Sequence, residues 1–119
     1  MVLRCCRGSV ERMTSTGVVN VVAVFTPLEG HRDEVMAALE VAIPLVHDEP
    51  GCELYVITEA DDGRLVMIEK WSSGEQLDAH GTSEAVAELA KSLDGHLAQP
   101  VEVIRLTPHP IGDAVKGAL

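Results

Sequence analysis

The residues best suited to chemistry lie in the stretch EKWSSGEQLDAH, residues 69–80. It holds the only tryptophan of the chain, Trp71, and ends on His80. An imidazole exchanges a proton near neutral pH, which makes His80 a candidate general base. The indole ring of Trp71 can stack on a planar substrate and donate its N–H to a carbonyl. Because side chains alternate along a strand, Glu69 shares a face with Trp71 and is a candidate substrate-binding residue.

Each of these residues also has a purely structural interpretation. His80 can hydrogen-bond the last carbonyls of a helix, and Trp71 can fill the end of the strand layer as a large apolar side chain. A buried Glu69 needs a partner, so a structural ion pair is the alternative to a binding role.

Tyr55 and Asn20 are further candidates in other strands. If Asp62 and Gly63 form a two-residue hairpin turn, Tyr55 faces away from Trp71, and only a bulge that shifts the register by one residue brings it to the same face. Asn20 interrupts an apolar strand, and a buried amide must be hydrogen-bonded. It can orient a substrate oxygen or satisfy a strand edge.

Motifs for metals and nucleotides are missing from the sequence. Residues 47–49, His-Asp-Glu, are consecutive and lack the spacing that places ligands on one helix face, so a solvated helix end is expected there. No glycine-rich phosphate loop, no H-E-x-x-H and no G-x-S-x-G occurs. We therefore expect neither a metal nor another cofactor.

Charge and composition limit the partners. The chain has 119 residues, the size of one domain, and a formal net charge of -10. Such an acidic surface repels phosphate backbones and anionic lipids, so neither a nucleic acid nor a membrane is an expected partner. No apolar run approaches the ~20 residues of a membrane span. A small molecule or a protein fits better.

Cysteine usage and the termini complete this outline. The three cysteines are Cys5, Cys6 and Cys52, and an odd count without a disulfide framework indicates a reducing, cytoplasmic location. We expect residues 1–12 to be a disordered or non-native extension before a start at Met13, residues 13–110 to form the domain, and residues 111–119 to be a tail.

Hydrophobic patterning predicts the order βαββαβ. Strands are expected at residues 18–26, 52–58, 64–71 and 101–107, and helices at residues 30–47, 74–80 and 83–93. This order is the ferredoxin-like split βαβ arrangement, an α+β fold in which a four-stranded antiparallel sheet carries its helices on one face. The other face stays bare and apolar, so we expect a homodimer with the two sheets packed together.

Three segments resemble the antibiotic biosynthesis monooxygenase (ABM) domain family of dimeric α/β barrels. They are HDEPGCELY (residues 47–55), EKWSSGEQLDAHGTS (residues 69–83) and PVEVIRL (residues 100–106), and they follow one another in the family's order. One departure is that Ser83 is not followed by the Pro-His-Phe of many members. The early-strand Asn of haem-degrading relatives has a counterpart in Asn20, but their helical Trp and His do not, so haem cleavage is not expected.

The resemblance implies a cofactor-independent monooxygenase. In such enzymes a quinol-like or polyketide-like aromatic substrate is deprotonated, and its anion reduces O₂ directly in a closed pocket. For this reaction the candidate catalytic residues are His80, Trp71 and Asn20, and the candidate substrate-binding residues are Glu69 and Tyr55.

Two alternatives stay open at this point. An isomerase of the same fold acting on phosphorylated sugars needs a cation in its pocket, for which Arg32, Lys70 and Arg105 are the candidates. The second alternative is a non-enzymatic dimeric protein, either ligand-binding or stress-associated, that has the fold but has lost the chemistry. A closed apolar cavity that touches His80 and Trp71 favours an enzyme, and a filled interior favours the non-enzymatic role.

Overall fold

A computed structural model describes residues 17–119 of the chain. The predictions about residues 1–12, Met13, Cys5 and Cys6 lie outside these residues. In chain order the elements are β1 (Val19–Phe25), α1 (Arg32–His47), β2 (Cys52–Glu59), β3 (Leu65–Trp71), α2 (Gly74–Gly81), α3 (Glu84–Leu93) and β4 (Glu102–Leu106). The predicted order of strands and helices is confirmed.

The strands form one antiparallel sheet in the order β2-β3-β1-β4. The hairpin β2–β3 lies on one side of it, and β1 sits between β3 and β4 because each half of the chain crosses over through helices. This is the ferredoxin-like arrangement, and the predicted α+β fold class is confirmed.

Alternation along the strands gives the sheet two different faces. In β3, Leu65, Met67, Glu69 and Trp71 are buried, whereas the residues between them are half-buried. The buried side chains pack against apolar residues of α1 and α3, among them Val35, Leu39 and Leu89, so the helices cover this face.

Serine caps fix the start of the two short helices. The Ser73 hydroxyl accepts a hydrogen bond from the Gln76 backbone N–H at 3.2 Å, and the Ser83 hydroxyl accepts one from Val86 at 3.3 Å. Ser73 is therefore the N-cap of α2. These caps hold α2 directly after β3, which keeps its last turn close to the sheet.

The hairpin between β2 and β3 differs from its prediction. Ala60 and Arg64 are still hydrogen-bonded, so the loop contains three residues, and its last, Gly63, has a φ of 93°. Only glycine adopts this backbone freely, and a turn that ends this way is a common three-residue hairpin loop. Tyr55 consequently pairs with Glu69 and not with Lys70, and the prediction that a two-residue turn sends Tyr55 to the face away from Trp71 is wrong.

The other face of the sheet carries no helix in residues 17–119. One row across all four strands on this face is formed by Val56, Ile68, Val22 and Ile104, each paired with the next. Val56 and Ile104 are each 42% exposed. This row is an apolar strip open to solvent in the single chain, and we call it the open-face row.

Candidate active site

The sheet register places four side chains in one row beneath the helices. Tyr55 pairs with Glu69, Glu69 with Val21, and Val21 with Arg105, so residues from all four strands lie side by side. The row runs from the buried Tyr55 and Glu69, each 4% exposed, to the exposed edge strand β4. It combines a carboxyl, an apolar floor and a cation.

Trp71 connects this row to the helix α2. Its side chain is fully buried, and its indole N–H donates a hydrogen bond to Oε1 of Glu69 at 2.8 Å. Its ring lies over that of His80, with the centroids 4.5 Å apart and the planes tilted by 32°. Trp71 thereby holds a carboxyl on one side and an imidazole on the other.

His80 lies in the last turn of α2 and is 9% exposed. Its Nδ1 is 2.7 Å from Oε1 of Glu49, in the turn between α1 and β2. Because a carboxylate only accepts hydrogen bonds, this contact places the imidazole proton on Nδ1. With the proton on Nδ1, Nε2 of an uncharged imidazole can accept a proton, which is the orientation that a general base requires.

A cavity of about 480 Å³ lies beside these groups. This volume is typical of sites for small organic ligands. Its apolar walls come from β1, β4 and the helices α2 and α3, and its polar groups come from β3, α2 and β4. The lining includes Val21, Leu77, Val86 and Val103 as apolar residues, and Glu69, Asp78, His80, Thr82 and Arg105 as polar ones.

The inner and outer parts of the cavity differ in exposure. Glu69, Val21 and His80 form its buried end, whereas Val103 at 62% exposure lies at the solvent side. Arg105 donates a hydrogen bond to Asp78 at 2.9 Å, and both side chains are more than half exposed. The titratable groups thus sit deep in the cavity, and an ion pair sits at its mouth.

Burial sets the protonation behaviour of the inner groups. It raises the pKa of Glu69 above the ordinary carboxyl value, and the nearby Glu49 acts in the same direction. The hydrogen bond from Trp71 and the proximity of His80 partly oppose this shift. Burial also raises the pKa of Tyr55 and of the Cys52 thiol, so both groups stay protonated at neutral pH.

The structure brings four of the five predicted site residues together. Glu69 and His80 line the cavity, Trp71 contacts both of them from behind, and the Tyr55 ring lies 5.5 Å from that of His80. Trp71 is not itself among the lining residues. A stacking role for Trp71 on the substrate therefore stays a prediction, while its contacts fit a role in positioning the two titratable groups.

Asn20 lies apart from this group. It pairs with Lys70 and Leu106, which places its side chain on the face of the sheet opposite Glu69. The amide is buried and donates to the Glu69 backbone carbonyl at 3.4 Å. The catalytic role of Asn20 stays a prediction, and its hydrogen bond accounts for an amide in an apolar strand.

The sequence did not identify Glu49 as part of the site. Its run with His47 and Asp48 predicted a solvated helix end, and 31 residues separate it from His80. Only the packing of α2 against the turn between α1 and β2 brings the two together, so no local pattern indicates the contact. Arg105 was a candidate cation for the pocket, and it does line the cavity. Arg32 instead binds Glu59, and Lys70 lies near Glu53.

The described part of the chain contains neither a group of metal-ligating side chains nor a helix that could span a membrane. Among residues 17–119, no three His, Cys, Asp or Glu side chains are grouped in a way that could hold a metal ion. None of the helices formed by these residues has the length and apolar character that crossing a bilayer requires. The cytoplasmic location expected from the cysteines stays a prediction.

Comparisons with known proteins agree with this fold. The family model described as antibiotic biosynthesis monooxygenase matches residues 18–92, more than half of the chain. A Mycobacterium tuberculosis protein named "Putative monooxygenase Rv0793" is 34% identical over 94 residues, which cover 78% of this chain and 93% of the relative.

Solved structures show the same similarity. The structure of Rv0793 from Mycobacterium tuberculosis has a TM-score of 0.75 at 31% identity and covers 82% of this chain and 100% of its own. A conserved protein from Methanosarcina mazei Go1 has a TM-score of 0.71 at 24% identity, with 76% and 92% covered, which shows the fold alone.

The fold and the cavity thus define a small ferredoxin-like α+β protein with a candidate acid–base site under its helices. The chain belongs to the antibiotic biosynthesis monooxygenase family, as the resemblance implied.

Proposed function

We propose that the protein is a cofactor-independent monooxygenase that oxidises a quinol-like or polyketide-like aromatic with O₂, with His80 as the general base. The observation that carries the proposal is the placement of His80. Its Nδ1 is held by Glu49 at 2.7 Å, and its side chain lines a cavity with apolar walls. A base held in one orientation beside a cavity with apolar walls is what the deprotonation of a phenol or an activated methylene requires.

In the proposed reaction the substrate supplies the electrons. Proton transfer to Nε2 of His80 leaves an electron-rich anion, which passes one electron to O₂, and the two radicals combine to form a carbon–oxygen bond. The apolar walls, including Leu77 and Val86, exclude water from these intermediates. The protein contributes a base, a shaped cavity and fixed polar groups.

Family membership supports the reaction class. The family model carries the description antibiotic biosynthesis monooxygenase, and the 34% identical relative is named a monooxygenase. The choice of an aromatic substrate rests on the cavity, whose volume of about 480 Å³ and mixture of apolar walls with few polar groups suit a planar, weakly polar molecule.

The proposal includes a homodimer that packs through the bare sheet face. The open-face row of Val56, Ile68, Val22 and Ile104 offers a continuous apolar strip, and Leu106 on the same face is 38% exposed. A second copy covering this strip removes it from water, which is the main stabilising term in permanent dimers.

An isomerase that acts on a phosphorylated sugar is the second candidate, because Arg105 lines the cavity. The guanidinium is already paired with Asp78 at 2.9 Å, and Glu69 lies deeper in the same cavity. With two carboxyls against one arginine, the lining does not offer the excess positive charge that a phosphate ester needs. The monooxygenase is therefore the better-supported function.

Oxygen uptake tests the proposal. Purified protein is given a panel of hydroquinones and anthrones in an oxygen-electrode cell, with the spontaneous oxidation of each compound subtracted. We expect uptake by the wild type and a loss of roughly 100-fold or more in His80→Ala, the usual contribution of a general base. His109→Ala, which removes an exposed histidine from the C-terminal segment, serves as the matched control and is expected to retain full activity. Equal rates in the wild type and His80→Ala would refute the role of His80.

A further inference from the structure

Two histidines outside the cavity face each other across the helix layer. His31 is the residue before α1, and His96 follows the C-terminal end of α3. Their Nδ1 atoms are 2.9 Å apart, and the ring centroids are 5.1 Å apart with the planes tilted by 50°. Both side chains are half-buried, and neither lines the cavity that contains His80. We call His31 and His96 the histidine pair.

The distance between the two Nδ1 atoms limits the number of protons that the pair can hold. At 2.9 Å two imidazole nitrogens form a hydrogen bond, in which one nitrogen donates its hydrogen and the other presents a lone pair. If neither Nδ1 carries a hydrogen, two lone pairs face each other, and if both do, two N–H groups face each other. The contact therefore requires a single proton between the rings.

Backbone hydrogen bonds join the two segments that carry the pair. Leu28 donates its N–H to the His96 carbonyl at 2.9 Å, and Ala98 donates to the Thr26 carbonyl at 2.7 Å. An isolated antiparallel bridge lies between these two bonds. The histidine pair is the side-chain part of this connection, which joins the loop between β1 and α1 to the turn after α3.

The ends of two helices indicate which ring donates. His31 is the N-cap residue of α1, where the positive end of the helix dipole opposes a cation, and its side chain makes no hydrogen bond to its own helix. His96 follows the C-terminal end of α3, and its backbone N–H binds the Leu93 carbonyl at 2.9 Å. The negative end of that helix favours a cation. The two helix ends thus favour His96 as the donor and His31 as the acceptor.

Other charges near the pair are exposed to water. The charged groups on the segments that carry the pair are Glu29, Arg32, Asp33, Glu34, Lys91 and Asp94, and all of them are exposed. Arg32 is paired with Glu59, and Lys91 with Glu88. Water and salt screen the carboxylates, which stand on both sides of the pair, so the helix ends distinguish the two rings.

We propose that His31 and His96 form an acid-sensitive contact that fixes the end of α3 to the start of α1, with His96 donating its Nδ1 proton to His31. Among residues 17–119, neither Nε2 atom has a hydrogen-bond partner. The first proton taken up as pH falls enters at Nε2 of His96, and the donor becomes a cation, which strengthens the hydrogen bond. The second proton enters at Nδ1 of His31, where it removes the acceptor and sets two cations side by side.

The sign of the pH dependence follows from these two steps. The folded protein takes up the first proton more readily than the unfolded chain, and the second proton less readily. The stability that the pair contributes therefore rises as the first proton binds and is lost as the second binds, in the range of about pH 8 to 5 in which histidines change charge. This inference is independent of the monooxygenase function.

A double-mutant cycle measured by urea unfolding tests the proposal. The wild type, His31→Ala, His96→Ala and the double variant are compared at about pH 8, 6.5 and 5, so that the contributions of distant titrating groups cancel. We expect the coupling to change the unfolding equilibrium constant roughly 5-fold at the highest pH, more at the middle one, and less than about 2-fold at the lowest. A cycle of His31→Ala with His109→Ala, at an exposed histidine of the C-terminal segment, is the matched control and should show no coupling.

Imidazole ¹⁵N spectra of the wild type locate the protons without any substitution. At about pH 8 we expect a hydrogen on Nδ1 of His96 and none on Nδ1 of His31. A coupling that is absent at this pH, or that stays constant as pH falls, would overturn the proposal. It would also be overturned by a His96 ring that carries its hydrogen on Nε2 alone.

Discussion

The Trp71 indole N–H and the Glu69 carboxyl, two residues apart on one strand, form a hydrogen bond of 2.8 Å inside the protein. Both side chains point to the helix-covered face because strand residues alternate. The bond gives a buried acid a neutral donor in place of a cation. It keeps Glu69 oriented without forcing it to ionise, and it links the carboxyl to the imidazole on which Trp71 stacks.

Replacing Trp71 with phenylalanine tests this relationship. Phe keeps an aromatic ring against His80 but has no N–H to donate to Glu69. In the wild type this hydrogen bond lowers the pKa of Glu69, so its removal is expected to raise that pKa further. The Glu69 carboxyl should therefore keep its proton to higher pH than in the wild type. An NMR titration of the carboxyl carbon measures the pKa in both proteins, and a lower pKa in Trp71→Phe would contradict the account.

The stability of the fold should depend on pH through Glu69. Its pKa in the folded state is raised above the ordinary value of 4.5, so the folded protein holds this proton more tightly than the unfolded chain. The resulting stabilisation is complete below the unfolded-state pKa and is lost as pH rises through the folded-state pKa. Glu69→Gln lacks this titration, and the difference in free energy of unfolding should favour the variant increasingly as pH rises.

Urea unfolding at a series of pH values checks the sign of this effect. Glu59 provides the opposite control, because the hydrogen bond from Arg32 lowers its pKa. Its stabilising contribution is present above the unfolded-state pKa and is lost as pH falls, so Glu59→Gln should differ from the wild type at high pH and converge with it in acid. If the free energies of unfolding of the two variants depend on pH in parallel, Glu69 is not the source of the pH-dependent stability.

Glu49 is expected to act through His80 and not on the substrate. Glu49→Ala removes the acceptor at 2.7 Å and frees the ring to rotate, so we expect kcat to fall roughly 10- to 100-fold while KM stays unchanged. Glu49→Gln retains an acceptor and should recover much of the activity. Steady-state kinetics of the two variants test this, and a loss confined to KM would place Glu49 in substrate binding instead.

The open-face row should control assembly. Ile104 lies on the edge strand and is 42% exposed, so Ile104→Lys is tolerated by the single chain but puts a charge into the proposed dimer contact. We expect sedimentation velocity to report a dimer for the wild type and a monomer for this variant. Val41→Lys, at an apolar side chain of α1 that is 71% exposed, is the matched control and should remain dimeric.

The fold followed from the sequence because its signals are local. Alternation in β3, the capping serines before α2 and α3, and the turn glycines each depend on residues a few positions apart. The same locality explains why Glu69 and Trp71 were placed correctly on one face. Both belong to one strand, and the period of two decides their direction without any knowledge of the rest of the chain.

The parts that the sequence did not give depend on register and tertiary packing. Whether the β2–β3 loop contains two or three residues changes which residue faces Glu69, and Asp62-Gly63 is compatible with both. The two-residue turn, which would have put Tyr55 on the far face, is not formed, and the register is shifted by one residue. The contact between Glu49 and His80 forms only when α2 packs against the turn between α1 and β2. No spacing within the sequence predicts it.

Labelled oxygen provides the most direct test of the central claim. The protein, treated with a metal chelator and free of flavin, is mixed with a dihydroxyanthrone under ¹⁸O₂, and the product is examined by mass spectrometry. The account predicts that the wild type places one ¹⁸O atom in each quinone and that His80→Ala does so no faster than buffer alone. A quinone without the label, or equal labelling rates for the wild type and His80→Ala, would contradict it.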